Sequence, residues 1–219
     1  MRMKVAVLDD SQDVAPASAQ WDALRALADV VFFRDPLGSE EDIARSLRDV
    51  HIILAMRERT AFSASLLARL PALKMIALTG QRAPTLDLAA CTQRGILVCN
   101  TGGDFVPAAT PELAWGLVLA CARAIPQADA VMKNGGWHVG VPLGVSLAGK
   151  RLGILGLGKL GSKVASYGKA FGMDVVAWSH NLTAEDAQAK DVTRVEKQEL
   201  FATSDVISLH LVLGDRSRG

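Results

Sequence analysis

An α/β architecture of doubly wound parallel sheets is what this sequence predicts, on three observations. Short apolar runs alternate along the chain with segments whose apolar residues recur at helical spacing, the rhythm of strands and covering helices. The runs are apolar throughout, as in Leu152, Gly153, Ile154 and Leu155, so both faces of such strands are expected to be buried, as in a parallel sheet. One run ends in the hexapeptide GLGKLG, Gly156 to Gly161, a glycine turn set between a strand and a helix.

That turn sits in a complete βαβ pattern. Arg151 is the last charge before the apolar run, residues 159–171 read as a helix of about three turns, and residues 174–178 read as a second strand. Gly156 permits the tight turn, Gly158 leaves space for a pyrophosphate against the backbone, and Gly161 lets the helix sit close on the strand. The amides near Lys159 and Leu160 then open a helix whose N-terminus attracts anions. Alone, a glycine-rich turn is weak evidence, because most such turns join elements without binding anything. The strand before it and the helix and strand after it point to a dinucleotide site.

About 20 residues further on, where a carboxylate would hold a ribose 2′-hydroxyl, stand Ser179, His180 and Asn181. No carboxylate is there to repel a 2′-phosphate and no arginine to demand one. The cofactor is therefore NAD or NADP, with a tilt towards NADP.

Composition narrows the remaining classes. Half of the 219 residues are hydrophobic, enough for one large or two small cores. With 24 Lys and Arg against 23 Asp and Glu, a net charge of +1 offers no electrostatic attraction for nucleic acid or an anionic membrane surface. The longest apolar run, 113–122, is too short to cross a bilayer and the N-terminal one is too short for a signal peptide, so the protein is expected in the cytoplasm. Cys91, Cys99 and Cys121 form no CxxC pair and have no histidine at ligand spacing, so they read as buried thiols rather than metal ligands.

In chain order, strands are expected at 3–8, 29–33, 51–55, 73–78 and 96–99. Between them, Trp21, Leu24, Leu27 and Ala28 share a helical face, Ser39 and Asp42 form a capping box, Ser63 caps a short helix stopped by Pro71, and residues 87–94 form a helix closed by Gly95. Five strands within residues 1–100 describe a flavodoxin-like domain. A long helix follows from Pro111, in a helical region near 111–133 expected to lie between two domains, since Ala114, Leu117, Val118, Cys121 and Ala122 cover more than one face. Residues 134–149 read as an ordered connection, with Trp137 as its anchor, and residues 182–194 as a polar stretch. A short helix at 197–202 and a strand at 206–211 complete the pattern. Residues 101–219 thus read as a Rossmann-type domain, incomplete because only its first half and one further strand are present.

These pieces, in this order, resemble the D-isomer-specific 2-hydroxyacid dehydrogenases over essentially the whole chain. The resemblance rests on RERTAFSASLLARLPALKMIALTG from Arg57, TLDLAACTQRGILVCNTGG from Thr85, ATPELAWGLVLACAR from Ala109, GGW from Gly135, LAGKRLGILGLGKLG from Leu147, VVAWSHNLTAE from Val175 and DVISLHLVLGDRSRG from Asp205. It implies that residues 1–100 bind a small 2-hydroxyacid or 2-ketoacid, that residues 101–219 bind NAD(H) or NADP(H), and that the reaction lies in the cleft between the domains. By position, Gly80, Gln81 and Arg82 fall in the family's carboxylate-binding loop, with Arg82, Ala83 and Pro84 departing from its commonest form. Thr110 falls near the nicotinamide end and His210 where a strand end passes the adenine ribose. A homodimer through the helix from Pro111 is likewise implied.

The family's catalytic Arg, Glu and His would all lie beyond Gly219, so the resemblance implies no catalytic residue in this chain and no activity from these 219 residues alone. His210 near Asp205 is a tempting substitute, but a histidine at a strand end is more often packed or at a cofactor's edge. His51, His138 and His180 have no better claim. Arg57 and Arg59 read equally well as solvated strand-end charges and as contacts to an anionic substrate. Glu112 is explained by its helix's dipole. The alternative reading is a dinucleotide-binding module without catalysis.

Overall fold

A computed structural model describes residues 2–81, 83–102, 108–214 and 217. They divide into two compact units, Met1–Asp104 and Phe105–Gly219.

The first unit runs β1 (Met3–Val7), α1 (Ala15–Ser18), α2 (Asp22–Leu27), β2 (Ala28–Phe32), α3 (Glu40–Leu47), β3 (Ile52–Ala55), α4 (Ala64–Ala68), β4 (Met75–Leu78), α5 (Leu88–Gln93) and β5 (Leu97–Asn100). Its five strands are parallel in the order β2-β1-β3-β4-β5, the flavodoxin-like order. Side chains alternate across the sheet. Ala6, Leu8, Ile53 and Ile76 face a core closed by Leu47, Phe62, Leu66, Leu67 and Leu70, while Val7 joins Ala15 and Trp21 on the other side. The capping box of α3 forms as expected: the Ser39 hydroxyl accepts from the Asp42 amide, and the Asp42 carboxylate accepts from the Ser39 amide. One boundary differs from expectation. Ala28, read as helical, is the first residue of β2, pairing with Met3.

The second unit runs α6 (Ala109–Ala122), α7 (Ile125–Lys133), β6 (Arg151–Leu155), α8 (Lys159–Ala170), β7 (Asp174–Trp178), α9 (Ala184–Gln188), β8 (Thr193–Arg194), α10 (Lys197–Thr203) and β9 (Val206–Leu209). Its parallel sheet has the order β8-β7-β6-β9. Leu152, Ile154, Val164, Ala165, Val175 and Ala177 form the core beneath α8, and Leu155, Val176, Val195 and Leu200 form a smaller one beneath α10. Each large apolar side chain fully buried this way contributes about 1.5–3 kcal/mol. The helix α8 can come this close because two of its residues lack side chains. A Cβ on Gly161 would stand 2.1 Å from the Gly156 carbonyl oxygen, and one on Gly168 would stand 2.5 Å from Leu152 Cδ2.

Four expectations are corrected here. The helical region near 111–133 is two helices, because Ala124 takes a left-handed conformation and Pro126 starts the next one. Within α6, Trp115 packs on Tyr167 and Phe171, whereas Leu113, Leu117 and Cys121 are exposed; one apolar stripe is used within the unit and the other is uncovered. Cys121 is therefore not a buried thiol. Trp137 is exposed, its ring meeting only the edge of His138, and does not anchor the connection.

Candidate functional site

In the second unit the glycine turn is shaped by what surrounds it. Gly156 has φ +99°, a conformation that costs other residues energy, and a Cβ there would lie 2.7 Å from the carbonyl oxygen of His210. Its amide donates to Trp178 O at 2.9 Å, and the His210 amide donates to Leu155 O at 2.7 Å. The turn is thus held between the ends of β7 and β9. Gly158 is the N-cap of α8 and is different: a Cβ there would meet nothing within 4 Å. No side chain caps α8. The helix start carries a partial positive charge beside this open space, a fit for a phosphate. The Leu157 carbonyl, pointing into the fold, accepts from Ser162 Oγ at 3.2 Å and from Lys190 Nζ at 2.7 Å.

Beyond β7, Ser179 is half-buried and His180 exposed, and neither side chain has a hydrogen-bond partner among the described residues. The backbone turns back at once, with the Leu182 amide donating to Ser179 O at 3.1 Å. His210 follows β9, and its Nε2 lies 2.8 Å from Ser208 Oγ; burial pushes its imidazole below the usual histidine range. Asp205 lies at the opposite end of β9. Its carboxylate accepts from the Arg151 amide at 2.8 Å and pairs with Lys150 at 3.2 Å, contacts that hold it below the usual carboxylate range. A four-residue strand separates it from His210, so the two form no acid–base pair. Thr110 is exposed in the first turn of α6, where Glu112 also sits.

In the first unit, the residues after β3 and β4 are joined through Thr79. Its Oγ1 lies 3.3 Å from both Ala55 O and the Arg57 amide. Gly80 and Gln81 follow, and Gln81 O accepts from Asn100 Nδ2 at 3.1 Å, tying the loop to the end of β5. Arg82 lies outside the described residues. The two arginines that the sequence could not distinguish are distinct here. Arg59 donates to Asp9 O and reaches Ser11 Oγ at 3.4 Å, so it braces the end of β1. Arg57 is exposed, has φ +52° and makes no ion pair among the described residues. A non-glycine residue in the left-handed region is a pointer to a functional role, and no pattern in the sequence announces it. The remaining histidines are ordinary: His51 Nδ1 accepts from the Lys4 amide at 3.1 Å.

An uncapped helix N-terminus at the end of a central parallel strand, with glycines on the side an anion would approach, defines a dinucleotide-binding α/β protein. Residues 115–219 match the model of a family described as D-isomer specific 2-hydroxyacid dehydrogenase, NAD binding domain. A glyoxylate reductase of Aeropyrum pernix is 38% identical over 160 residues, covering 70% of this chain and 48% of the relative. A D-3-phosphoglycerate dehydrogenase of Methanocaldococcus jannaschii is 33% identical over 199 residues, covering 90% of this chain and 38% of the relative. The crystal structure of a phosphoglycerate oxidoreductase from Vibrio cholerae superposes with a TM-score of 0.89 at 36% identity, covering 99% of this chain and 69% of that one. The chain belongs to the D-isomer specific 2-hydroxyacid dehydrogenase family and carries its NAD-binding fold. It spans less than half the length of these two curated relatives.

Proposed function

We propose that these residues form the substrate-binding unit and the first part of the cofactor-binding unit of an NAD(P)-dependent dehydrogenase acting on a small D-2-hydroxyacid or 2-ketoacid. The observation that carries this reading is the uncapped N-terminus of α8 behind a glycine with open space above it. The amides from Lys159 to Gly161 hold the pyrophosphate, Gly156 and Gly161 keep the turn and helix in place, and Ser179 and His180 meet the adenosine ribose. His210 borders the adenine side and Thr110 the nicotinamide side, the roles the family resemblance implies. The nicotinamide, when bound, supplies or accepts the hydride.

On the substrate side, the backbone of Gly80 and Gln81, with Arg82, holds the acid's carboxylate through consecutive amides. Arg57 adds a positive charge not spent on an ion pair among the described residues. These groups orient the substrate, and orientation is a large part of what a protein contributes to hydride transfer. The proton is a separate matter. Among the described residues no histidine pairs with a carboxylate, and the role of general acid–base follows the family resemblance, which assigns it to none of them. On this proposal the 219 residues alone bind dinucleotide without turnover. Cytoplasmic residence and homodimerisation belong to the same reading; among the described residues no helix is long and apolar enough to cross a membrane, and Leu113 and Leu117 leave an apolar face on α6.

The test is a titration of the purified 219-residue protein with NADH and NADPH, followed by nicotinamide fluorescence, then an assay with glyoxylate and hydroxypyruvate. Dinucleotide binding without turnover is expected. Absence of any binding overturns the cofactor reading. Turnover that disappears on substituting a histidine of this chain overturns the assignment of the acid–base elsewhere. The intact mass of the natural protein then separates an enzyme from a module that only binds dinucleotide.

A further inference from the structure

We propose that the end of β7 is built to hold a phosphate on the 2′ position of the adenosine ribose, so that this chain selects NADP(H) over NAD(H). The inference rests on the dinucleotide reading above and goes beyond it by naming the groups that discriminate.

Selection at this position is a matter of charge. A carboxylate after the second strand of a βαβ unit accepts from the ribose hydroxyl and repels a phosphate; a cation nearby does the reverse. Here the position holds Ser179 and His180, a hydroxyl and an imidazole, both without partners among the described residues. Either can donate to a phosphate oxygen.

Three cations from later in the chain contact the turns after β6 and β7 and the last ring of β7, two of them through backbone carbonyls. Lys190 reaches across 33 residues to place Nζ 2.7 Å from Leu157 O, in the glycine turn itself. Arg194, paired in register with Ala177 of β7, donates from Nε to Leu182 O at 3.0 Å. Lys197, in the first turn of α10, stands 5.6 Å from the centre of the Trp178 ring, the last residue of β7.

Their countercharges are few. Arg194 pairs with Glu196 at 2.9 Å, while Lys190 and Lys197 make no ion pair among the described residues. Asp191, the acid beside Lys190, is occupied by Lys169 at 3.0 Å. Glu185 and Asp186 lie in the first turn of α9, where that helix's own dipole compensates them. An ordinary solvated surface leaves lysine ammonium groups in water. Here two of the three cations are fixed to carbonyl oxygens of the turns on either side of the strand end, and the third lies over the strand's last ring. A dianionic phosphate with two open donors beneath it would complete this arrangement.

The experiment is a fluorescence titration of the purified protein with NADPH and NADH, with competition by adenosine 2′,5′-bisphosphate and by 5′-AMP. NADPH is expected to bind on the order of tenfold tighter or better, and the bisphosphate to compete far more strongly than 5′-AMP. Ser179→Asp should abolish the preference by weakening NADPH far more than NADH, read as the ratio of the two affinities. Lys190→Met should weaken NADPH several-fold more than NADH, with thermal denaturation checking that both variants fold. Equal affinity for the two cofactors, or tighter NADH binding, overturns the proposal. Binding of neither cofactor overturns the dinucleotide reading instead.

Discussion

The ends of β1 and β6 occupy equivalent places, each a central strand of its sheet leading into a helical segment, and they treat that helix in opposite ways. Each is followed within two residues by a left-handed one: Asp9 at φ +59° and Gly156 at φ +99°. After β1 the chain uses its own carboxylate. Asp10 is buried and accepts from the amides of Val14 and Ala15 at 3.0 and 2.9 Å, so the start of α1 is satisfied from within. After β6 the N-cap is Gly158, which has no side chain to do this and has open space beside it. The difference teaches that the fold supplies two similar turns, one whose helix start is satisfied by a buried carboxylate of its own and one that offers a glycine N-cap and open space instead.

That contrast can be broken most severely at Gly161. Valine there would force Cβ into the Gly156 carbonyl, and the expected cost is on the order of 3 kcal/mol together with loss of dinucleotide binding, read by denaturant unfolding and NADPH titration. The sharpest test is Gly158→Asp, which gives α8 the kind of cap α1 already has. The backbone there is extended and open, so stability should hold or rise by up to about 1 kcal/mol while cofactor affinity falls at least about tenfold as the carboxylate takes the phosphate's amides. Lost stability with retained affinity would show that capping and binding do not compete.

The reciprocal change, Asp10→Ala, should cost about 1–2 kcal/mol by orphaning two amides and leave NADPH affinity untouched. Smallest is a pH effect at His210. Burial lowers its folded pKa below its ordinary 6.5, so the unfolded chain takes up a proton first, and stability present above pH 6.5 is lost as pH falls through the folded value. His210→Gln should flatten that part of the stability curve, measured as the denaturation midpoint between neutral and mildly acidic pH.

Much of this was legible in the residues. The strand at 174–178 and the close approach of α8 at Gly161 were readable because they follow from sterics local to a few residues. So were the capping box of α3 and the cap Ser63 gives α4, with its hydroxyl accepting from the Leu66 amide at 3.1 Å. What escaped was short or decided at a distance. The stretch 182–194 hides α9, although Thr183 caps it through the Asp186 amide at 3.0 Å, because one and a half turns have little apolar periodicity. It also hides β8, two residues long and defined only by pairing with β7. Nor could Arg57 be told from Arg59, since the distinction is Asp9 O, 50 residues from Arg59.

The contact between Gly156 and His210 has a kinetic meaning. A turn contoured against a carbonyl 54 positions later cannot take its final shape until β9 has docked, so the binding loop is among the late structures to form, governed by the loop closure that slows non-local contacts. Any ligand that favours the finished turn then favours the docked strand by mass action. A ligand held by this turn would then add to how securely β9 stays in the sheet, and amide exchange along residues 206–210 becomes its gauge.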